Sequence, residues 1–592
     1  MFLITTADQR FWKTDEPILF LGEWCKIYNQ RDIWSRLNYS VLPYHWNDRE
    51  KLYQDYLYLD TIYEKYLPFL TERLNALHNV NYSLRYWRIV AGFWLYQFIE
   101  IVFDRYLSIK QATDSGLVSE TWICPHDRER WAPSDFSDAL QWFFSDEYNN
   151  YLYSRIIQNL GEIPFRILER DPSLVSDNSL KPNKPHFHDF IKNRLGSFNK
   201  YFPSRWNQVV FDITYLDKWD SIHLQLSLGQ IPYFEFHPAL PECDPFDSSM
   251  REKLIFRSAT NEFESILDWM IAEHIPRVYV EGYSDLHIKS LDTFPKRPKV
   301  IFTANAYNGH TLFQLWSAFH VEHGAKLIGT QHGGHYGSGL WSASESHEIR
   351  ICDRFYTTGW ETDAPNIHPL STGIFNGAIK RVSPDPEGTI LMVSTSLPRY
   401  SYWMYSVPVG PQMLDYINDQ YRFVRSVSEE AHEDLLLRLY PLDYGWNEAS
   451  RWRDVYPEIK LYQGRKSIYQ QLNESRLFIG TYNATTYLET FAADYPTILF
   501  WNPDQWELRP SAKPFFEKLR AQGILHDTPE SAAEKVNEIY KDPQTWWNRT
   551  EIRKAVSDFK YHFLRTSDNW LEEWKHEFQD IVKEYDSVKL SR

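Results

Sequence analysis

Cysteine is scarce in this sequence. The 592 residues contain four cysteines, Cys25, Cys124, Cys243 and Cys352, which are far apart and form no CxxC pair. Disulfide frameworks and structural zinc sites both need cysteines at short, regular spacing. The sequence therefore predicts neither, and four separate thiols are typical of a reducing compartment.

Positive charge is also in deficit. The formal net charge is −16, because 63 Lys and Arg stand against 79 Asp and Glu. Non-specific binding to nucleic acid requires Lys and Arg to displace counterions, and broad attraction to anionic lipid requires the same sign of charge. We therefore expect no nucleic-acid partner and at most peripheral contact with a membrane.

Long hydrophobic runs are absent as well. The best candidate for a membrane-spanning segment is residues 89–99. This stretch is far shorter than the roughly 20 apolar residues that span a bilayer, so we expect a buried helix there. The apolar residues 2–6 are followed at once by Asp8 and Arg10, which is not the pattern of a signal peptide. Together with the free thiols, these features predict a cytoplasmic protein.

Two common nucleotide-binding signatures are missing. The sequence has neither a P-loop nor a GxGxxG motif, the glycine-rich turns that approach phosphate groups in kinase-like and dinucleotide-binding proteins. It also lacks short repeats, heptad runs and low-complexity tracts. These absences argue against those two classes and against solenoid or coiled-coil architectures.

What the sequence does contain is two successive series of short apolar runs separated by helical stretches. Such runs are typical of buried parallel strands. They predict an α/β fold of two Rossmann-like domains with a cleft between them. The predicted strands are residues 277–280, 300–303, 326–329 and 354–357 in the first series, and 389–393, 434–439, 477–480 and 497–501 in the second.

The domain boundary is predicted near residue 380. Residues 1–380 form the N-terminal domain and carry a helical insert at about residues 48–170, where apolar residues recur at helical spacing. Residues 381–592 form the C-terminal domain, and its last stretch, residues 531–585, is expected to be helical. Further predicted elements are short strands at residues 2–5 and 18–21, a helix at 311–323 and a loop at 171–185.

The most informative segment for ligand binding is residues 478–489, FIGTYNATTYLE. A predicted strand runs into a hydroxyl-rich turn and then into a helix, whose first N–H groups can bind phosphate oxygens together with Thr485 and Thr486. Glu489 lies four residues after Thr485, on the same helix face, where its carboxylate can accept hydrogen bonds from a ribose diol. Simple capping of the helix by Thr or Asn is the alternative.

Three further residues are donor-binding candidates on this side of the cleft. Tyr482 and Asn483 stand in the hydroxyl-rich turn itself. Arg438 lies near the end of the strand predicted at residues 434–439, so it brings a cation to the same edge of the sheet. A cation at this edge can neutralise the negative charge of a donor.

The first domain has its own distinctive string, GTQHGGHYGSG at residues 329–339. Its glycines permit close backbone approach, and Gln331 and Gly333 are candidates for donor binding. His332 is the candidate general acid or base, with structural hydrogen bonding as its alternative role. Metal binding through His332 and His335 lacks a third ligand in the loop, so no metal site is predicted.

Two acidic residues are additional catalytic candidates. Glu281 follows the strand predicted at residues 277–280, and Asp8 follows the first predicted strand. Open α/β sheets bind ligands at the carboxyl ends of their strands. Single polar residues at such ends also serve as caps or turn formers, so both roles stay open.

Several short motifs distributed over nearly the whole chain carry a family resemblance. They are FLITTA (2–7), LFLGEWC (19–25), DRY (104–106), QHGGHYG (331–337), PRY (398–400), RLY (438–440), TYNATT (481–486) and LET (488–490). In this combination the sequence resembles a family of transferases found in bacterial surface-polysaccharide gene clusters, including O-antigen loci. The QHG element and the Thr-rich turn are also similar to those of transferases that use CMP-activated ulosonic acids such as Kdo.

The resemblance implies a glycosyltransferase of the GT-B type with a nucleotide-sugar donor, a CMP-sugar above all, and a glycan or lipid-linked glycan acceptor. It implies that residues 1–380 are the acceptor-side domain and residues 381–592 the nucleotide-sugar-binding domain. No cofactor and no divalent metal are expected, because helix N–H groups and Arg can stabilise the leaving phosphate. In many GT-B enzymes a His-Pro pair follows the Arg-bearing strand, but this sequence has Tyr440-Pro441, so that His has no counterpart. A CDP-polyol phosphotransferase, through a more distant similarity to polyol-phosphate polymerases, and a non-catalytic glycan-binding protein are the alternatives.

Overall fold

The computed structural model describes residues 1–168, 206–233, 235, 237–241 and 243–590, so the loop predicted at residues 171–185 lies outside it. Within these residues the strands form three sheets, of five, five and six strands. Every strand pairs with its neighbours in parallel, which requires a crossover connection between successive strands. Helices supply most of these crossovers.

The first sheet lies at the N-terminus and has the strand order β3-β2-β1-β4-β5. The region predicted as a helical insert, residues 48–170, is mostly helical but also provides β4 and β5 to this sheet. The stretch at residues 89–99 is a buried helix as predicted, because it is apolar on all sides. The strands are β1 Phe2–Ile4, β2 Ile18–Phe20, β3 Tyr39–Val41, β4 Glu120–Ile123 and β5 Phe165–Ile167, and the helices are α1 Arg31–Trp34, α2 Arg49–His78, α3 Leu84–Trp87, α4 Phe93–Asp114, α5 Phe136–Trp142 and α6 Asp146–Leu160.

The second sheet has the order β10-β9-β8-β7-β6. The strand predicted at residues 277–280 is wrong, because Arg277–Tyr279 is a 3-10 turn. Its backbone N–H groups bond outside any sheet, Arg277 to the Pro133 carbonyl at 2.8 Å and Val278 to the Ser134 carbonyl at 3.0 Å. The strands are β6 Val209–Asp212, β7 Val300–Thr303, β8 Lys326–Thr330, β9 Arg354–Thr357 and β10 Ile367–Pro369, and the helices are α7 Lys218–Ser227, α8 Ser248–Glu252, α9 Glu262–His274, α10 Tyr283–Thr293, α11 Thr311–Glu322, α12 Ala343–Ile351 and α13 Asn376–Arg381.

The third sheet has the order β13-β12-β11-β14-β15-β16, which is the doubly wound Rossmann order. All four strands predicted for the second series are present, with bounds shifted by at most two residues. The strands are β11 Thr389–Val393, β12 Leu435–Arg438, β13 Lys460–Tyr462, β14 Ser475–Gly480, β15 Thr497–Phe500 and β16 Leu525–His526, and the helices are α14 Met413–Ser426, α15 Glu429–Glu433, α16 Glu448–Val455, α17 Ile468–Leu472, α18 Thr485–Ala492, α19 Lys513–Ala521, α20 Pro529–Ile539, α21 Pro543–Trp547 and α22 Thr550–Phe563.

The last helix, α23 Trp570–Leu590, crosses back to the second sheet. Trp574 and Phe578 of this helix pack with Phe211 and Phe302 of β6 and β7 in one buried cluster. Burial of such large aromatic side chains is strongly favourable. The chain therefore returns from the third sheet to cover a face of the second.

The connection from β11 to α14, residues 394–412, reaches in the other direction, to the first sheet and its helices. Arg399 pairs with Asp146 at 2.7 Å and also donates to the Trp24 carbonyl. Arg105 donates to the Ser401 carbonyl at 2.7 Å, and the backbone N–H of Met404 donates to Glu100 at 3.1 Å. Buried charged groups thus fix the β11–α14 connection against the N-terminal helices.

The predicted α/β class with parallel, Rossmann-like sheets is confirmed by this topology. The additional first sheet was not expected. Among the described residues no helix has both the length and the hydrophobicity to cross a membrane. The four cysteines are free thiols.

Candidate active site

A cavity of about 800 Å³ lies between the second and third sheets. Its wall includes residues that directly follow five strands of the two sheets, Asn305, His332, Thr395, Tyr440 and Tyr482. The carboxyl edges of both sheets therefore open into one space, where open α/β sheets bind ligands. In the third sheet the strand order reverses between β11 and β14, and the loops after these two strands supply Thr395 and Tyr482.

The Thr-rich turn presents the N-terminus of α18 to this cavity. The helix begins at Thr485 after Ala484, which has no side-chain capping bond, and both residues line the cavity. The capping alternative is therefore not observed, because Asn483 instead donates to Ser338 Oγ at 3.2 Å. The first N–H groups of an uncapped helix are unsatisfied donors with a positive local potential, which favours a phosphate.

The glycine-rich loop at residues 329–339 packs directly on this helix end. A Cβ atom on Gly334 would lie 2.3 Å from the Ala484 carbonyl carbon and 2.4 Å from the Thr485 nitrogen. Only glycine fits there, because both neighbouring atoms belong to backbone that cannot rotate away. The two motifs that were singled out in separate halves of the sequence thus meet at one side of the cavity.

Replacing Gly334 with Ala is expected to push the loop and the helix end apart. Overpacking against fixed backbone destabilises by about 1–3 kcal/mol. We expect a lower midpoint of thermal unfolding and loss of any ligand that bridges the two elements. Gly339→Ala is the matched control, because the nearest atom to its Cβ would be the His335 carbonyl oxygen at 3.4 Å. Equal stability of the two variants would show that the loop and α18 are not in tight contact.

His332 lines the same cavity and is held by a buried carboxylate. Its Nε2 lies 3.0 Å from Oε1 of Glu348, whose side chain is 0% exposed, against 19% for His332. Asn308 donates to the same carboxylate oxygen at 2.7 Å, and the Tyr336 hydroxyl lies 3.3 Å from Nε2. An ionised carboxylate only accepts, so the hydrogen of the neutral ring is on Nε2. The lone pair is then on Nδ1, for which no described residue provides a hydrogen bond.

His335 has a different environment from His332. Its Nε2 lies 3.2 Å from Ser342 Oγ, and burial lowers the pKa of its imidazole to about 3, so the ring is neutral at neutral pH. In the part of the chain that the structure describes, no group of three or more His, Cys, Asp and Glu is arranged to hold a metal ion. The HxxH pair therefore has two separate sets of partners.

Gln331 supports the loop from behind instead of lining the cavity. Its Oε1 accepts hydrogen bonds from Trp360 Nε1 at 2.7 Å and from the backbone N–H of Thr358 at 3.2 Å, and its amide donates to the Gly333 carbonyl at 2.9 Å. It is 3% exposed. Gly333, by contrast, lines the cavity.

Arg438 ends β12 and Glu489 lies on α18, and neither is among the residues that line the cavity. Arg438 donates to the Lys466 carbonyl at 3.0 Å and to the Gln471 side chain. Glu489 accepts a hydrogen bond from the Tyr469 hydroxyl at 3.0 Å, and burial raises the pKa of its carboxyl to about 7. The hydroxyls of Tyr482 and Thr486 bond to each other at 3.0 Å, and of these two residues Tyr482 lines the cavity.

Glu281 and Asp8, the two acidic candidates of the N-terminal half, do not line the cavity. Glu281 is 2% exposed and forms two hydrogen bonds with Arg251, at 2.7 and 2.9 Å. Asp8 pairs with its neighbour Arg10 at 2.5 Å and caps a 3-10 turn. Both carboxylates are thus occupied by structural partners, whereas His332, Gly333, Tyr482, Asn483 and Thr485 lie together at the cavity.

Glu348 is the site residue that the sequence prediction missed. Glu345 and Glu348 stand three residues apart on α12, so they share one face of that helix. That face is turned to the glycine-rich loop, since Glu345 accepts the Gly337 N–H at 3.0 Å while Glu348 holds His332. Two glutamates at this spacing directly after a glycine-rich loop were the available signal.

The sequence profile described as LIC12162 family transferase matches residues 1–578. The chain belongs to this family. No curated protein matches the sequence. Membership of the LIC12162 family establishes the protein as a transferase.

Similar solved structures include three proteins at low identity. MurG from Acinetobacter baumannii is 10% identical, with a TM-score of 0.30, over 63% of this chain and 99% of that chain. The wall teichoic acid polymerase TagF is 10% identical, with a TM-score of 0.33, over 67% of this chain and 94% of that chain. WaaG, a glycosyltransferase involved in lipopolysaccharide biosynthesis, is 12% identical, with a TM-score of 0.28, over 62% and 98%.

Proposed function

We propose that this LIC12162 family transferase is a glycosyltransferase that moves a sugar from a nucleotide donor to a glycan or lipid-linked glycan acceptor. One observation carries the proposal. The uncapped N-terminus of α18 and the His332–Glu348 pair contribute to the wall of a single cavity between two Rossmann-like sheets. The first can hold a phosphate and the second can remove a proton, which are the two requirements of sugar transfer from a nucleotide.

The donor half of the site uses the third sheet. The N–H groups at Thr485 and Thr486 bind the phosphate, with Tyr482 and Asn483 beside them. Arg438, at the end of β12, adds positive charge at this edge of the sheet. Glu489 is partly exposed and lies one turn along α18 from Thr485, so a ligand that extends from the cavity along this helix brings its ribose diol to the carboxylate. N–H groups and a guanidinium neutralise the leaving phosphate, so the proposal needs no divalent metal and no cofactor.

The acceptor half uses His332. Nδ1 removes the proton of the acceptor hydroxyl as its oxygen forms a bond to the anomeric carbon. The bond from that carbon to the phosphate oxygen breaks, and the electron pair leaves with the nucleotide. Glu348 keeps the ring in the required tautomer and stabilises the imidazolium that forms, as the carboxylate partner of a catalytic His does.

For the donor, the more specific proposal is a CMP-activated ulosonic acid. The transfer would take place in the cytoplasm and serve the biosynthesis of a bacterial surface polysaccharide. Its support is the resemblance of the QHGGHYG loop and the TYNATT turn to CMP-sugar transferases. Thermal unfolding with CMP, CDP, UDP and GDP tests it, since a ligand that binds the native state raises the midpoint. A shift with CMP alone supports the ulosonic donor, and a shift with CDP supports a polyol-phosphate donor. A shift with UDP or GDP redirects the sugar, and no shift with any nucleotide leaves a non-catalytic glycan-binding protein.

Replacing Glu489 with Gln is expected to weaken nucleotide binding and to remove its pH dependence. The ionised carboxylate accepts more hydrogen bonds from a diol than the neutral acid does. Because burial raises the pKa of Glu489 to about 7, affinity in the wild type should rise as the carboxyl loses its proton. Between about pH 6 and pH 8 the ionised fraction grows up to about tenfold, and affinity with it. Calorimetric titration with the nucleotide that gives the thermal shift measures both effects.

Glu448→Gln is the matched control. Burial also raises the pKa of Glu448 to about 7, but this residue begins α16 and is not on α18, the helix whose N-terminus is proposed to hold the phosphate. This variant should keep the rise of affinity with pH. A Glu489→Gln protein that binds every nucleotide like the wild type, with the same pH dependence, would contradict the ribose assignment.

A further inference from the structure

Tyr215 stands out at the cavity because a large aromatic side chain is left exposed there. It follows β6, lines the cavity and is 51% exposed. Its hydroxyl accepts a hydrogen bond from Asn305 Nδ2 at 3.0 Å. Large apolar surfaces that remain exposed inside a concave site commonly serve to bind a ligand.

The backbone that carries Tyr215 is in a conformation that side chains rarely adopt. Ile213 has φ of 40° and Tyr215 has φ of 59°, both in the left-handed region. For a β-branched residue such as Ile213 this is costly, and it persists only where the surroundings fix it. The fixing contact is the backbone N–H of Ala304, which donates to the Ile213 carbonyl at 2.8 Å. Strain of this kind clusters at functional sites.

The strained turn places the Tyr215 ring next to His332, the proposed base. The rings of Tyr215 and His332 are parallel within 12°, with centroids 5.8 Å apart. At this centroid distance the two parallel rings are offset and do not cover each other, so part of the phenol face stays open, in keeping with the 51% exposure of Tyr215. Asn308 and His310 also line this part of the cavity, and Asn308 Oδ1 is buried with no hydrogen-bond partner among the described residues.

We propose that Tyr215 is a sugar-binding residue whose free ring face receives the C–H face of the pyranose that reacts at His332. This inference rests on the proposed function, which makes His332 the reacting centre. An aromatic face bordered by amide and imidazole groups matches a sugar ring, which has an apolar C–H face and a rim of hydroxyls. A nucleobase is the other planar ligand of such a site, and the test separates the two.

The experiment is saturation-transfer difference NMR with three probes, the methyl glycosides of galactose, N-acetylglucosamine and N-acetylneuraminic acid. We expect transfer to the ring protons of at least one probe in the wild type. Tyr215→Phe keeps the ring and should keep the signal. Tyr215→Asn should lower it at least fivefold without a loss of thermal stability, because Asn adopts the left-handed region readily. Tyr561→Asn, at a tyrosine that is 62% exposed and does not line the cavity, is the control.

The proposal is overturned if none of the probes receives saturation in the wild type, or if Tyr215→Asn keeps the full signal. Loss of the nucleotide-induced thermal shift in Tyr215→Asn assigns the ring to a nucleobase and overturns it as well. The proposed function fails on a different result, namely that no nucleotide raises the thermal unfolding midpoint of the wild type. If a glycoside signal still depends on Tyr215 when no nucleotide binds, the cavity holds a sugar site without nucleotide-dependent transfer.

Discussion

His332→Ala is expected to lower kcat by about 10²–10⁴-fold, the usual contribution of a positioned general base. The effect should be confined to the chemical step, because His332 follows β8 of the second sheet, whereas the donor phosphate is proposed to bind at the N-terminus of α18, which follows β14 of the third sheet. Nucleotide affinity, measured by calorimetric titration, should stay within a few-fold of the wild type. Turnover is measured with the nucleotide sugar whose nucleotide gives the largest thermal shift.

The size of this loss depends on the partner behind the ring. Glu348 is fully buried at 3.0 Å from Nε2, and Asn308 bonds the same carboxylate oxygen. Because the ring is already oriented, little entropy is lost when it takes the proton, so the base contributes its full rate advantage. Removal of the ring should abolish that contribution to kcat. His323→Ala is the control, since this exposed histidine ends α11 and does not line the cavity. Undiminished turnover in His332→Ala would reduce His332 to a structural residue.

The strands could be predicted wherever an apolar run coincides with a place in a sheet. The runs at residues 300–303, 354–357 and 389–393 are strands with those bounds. The run at residues 277–280 is equally apolar and equally buried, but its N–H groups bond to the carbonyls of Pro133 and Ser134. Hydrophobicity reports burial and not the hydrogen-bond partner, so this error could not be avoided from the sequence.

The sequence predicts residues of the candidate site in each domain separately, but not the contacts between them. The rule that ligands bind at the carboxyl ends of parallel strands selected His332 and Thr485, and both line the cavity. The same logic selected Glu281, whose carboxylate is taken up by Arg251, a partner 30 residues away that no local pattern identifies. The contact of Gly334 with Ala484 joins two segments about 150 residues apart in sequence. Contacts between residues this far apart in sequence depend on how the sheets and helices pack together. No local sequence pattern reports that packing.

Arg399→Ala is expected to destabilise the protein by about 3 kcal/mol, the largest loss of stability that we predict for a single substitution. Arg399 is 6% exposed and pairs with Asp146 at 2.7 Å, while it also donates to the Trp24 carbonyl. Removing one partner of a buried pair leaves the other charge uncompensated, at a cost of about 3–5 kcal/mol. We expect the lower end of this range because the Asp146 side chain keeps 22% exposure to water.

The exposed pair of Arg31 and Asp454 is the matched control. Its nitrogen–oxygen distance is also 2.7 Å, but the two side chains are 46% and 42% exposed. Surface pairs contribute about 0–1 kcal/mol, so Arg31→Ala should lower the free energy of unfolding by less than 1 kcal/mol. Urea denaturation of both variants measures the difference.

Because of the position of Arg399, its replacement should affect nucleotide affinity as well as stability. It lies in the β11–α14 connection, which also supplies Trp403 and Tyr405 to the cavity wall. When the connection loses its anchor to Asp146, that wall should loosen, and nucleotide affinity should fall together with the free energy of unfolding. A double variant, Arg399→Met with Asp146→Asn, removes both charges and should recover part of the stability. If Arg399→Ala were as mild as Arg31→Ala, the pair with Asp146 would not fix the connection, and the hydrogen bonds of Ser401 and Met404 with Arg105 and Glu100 would hold it instead.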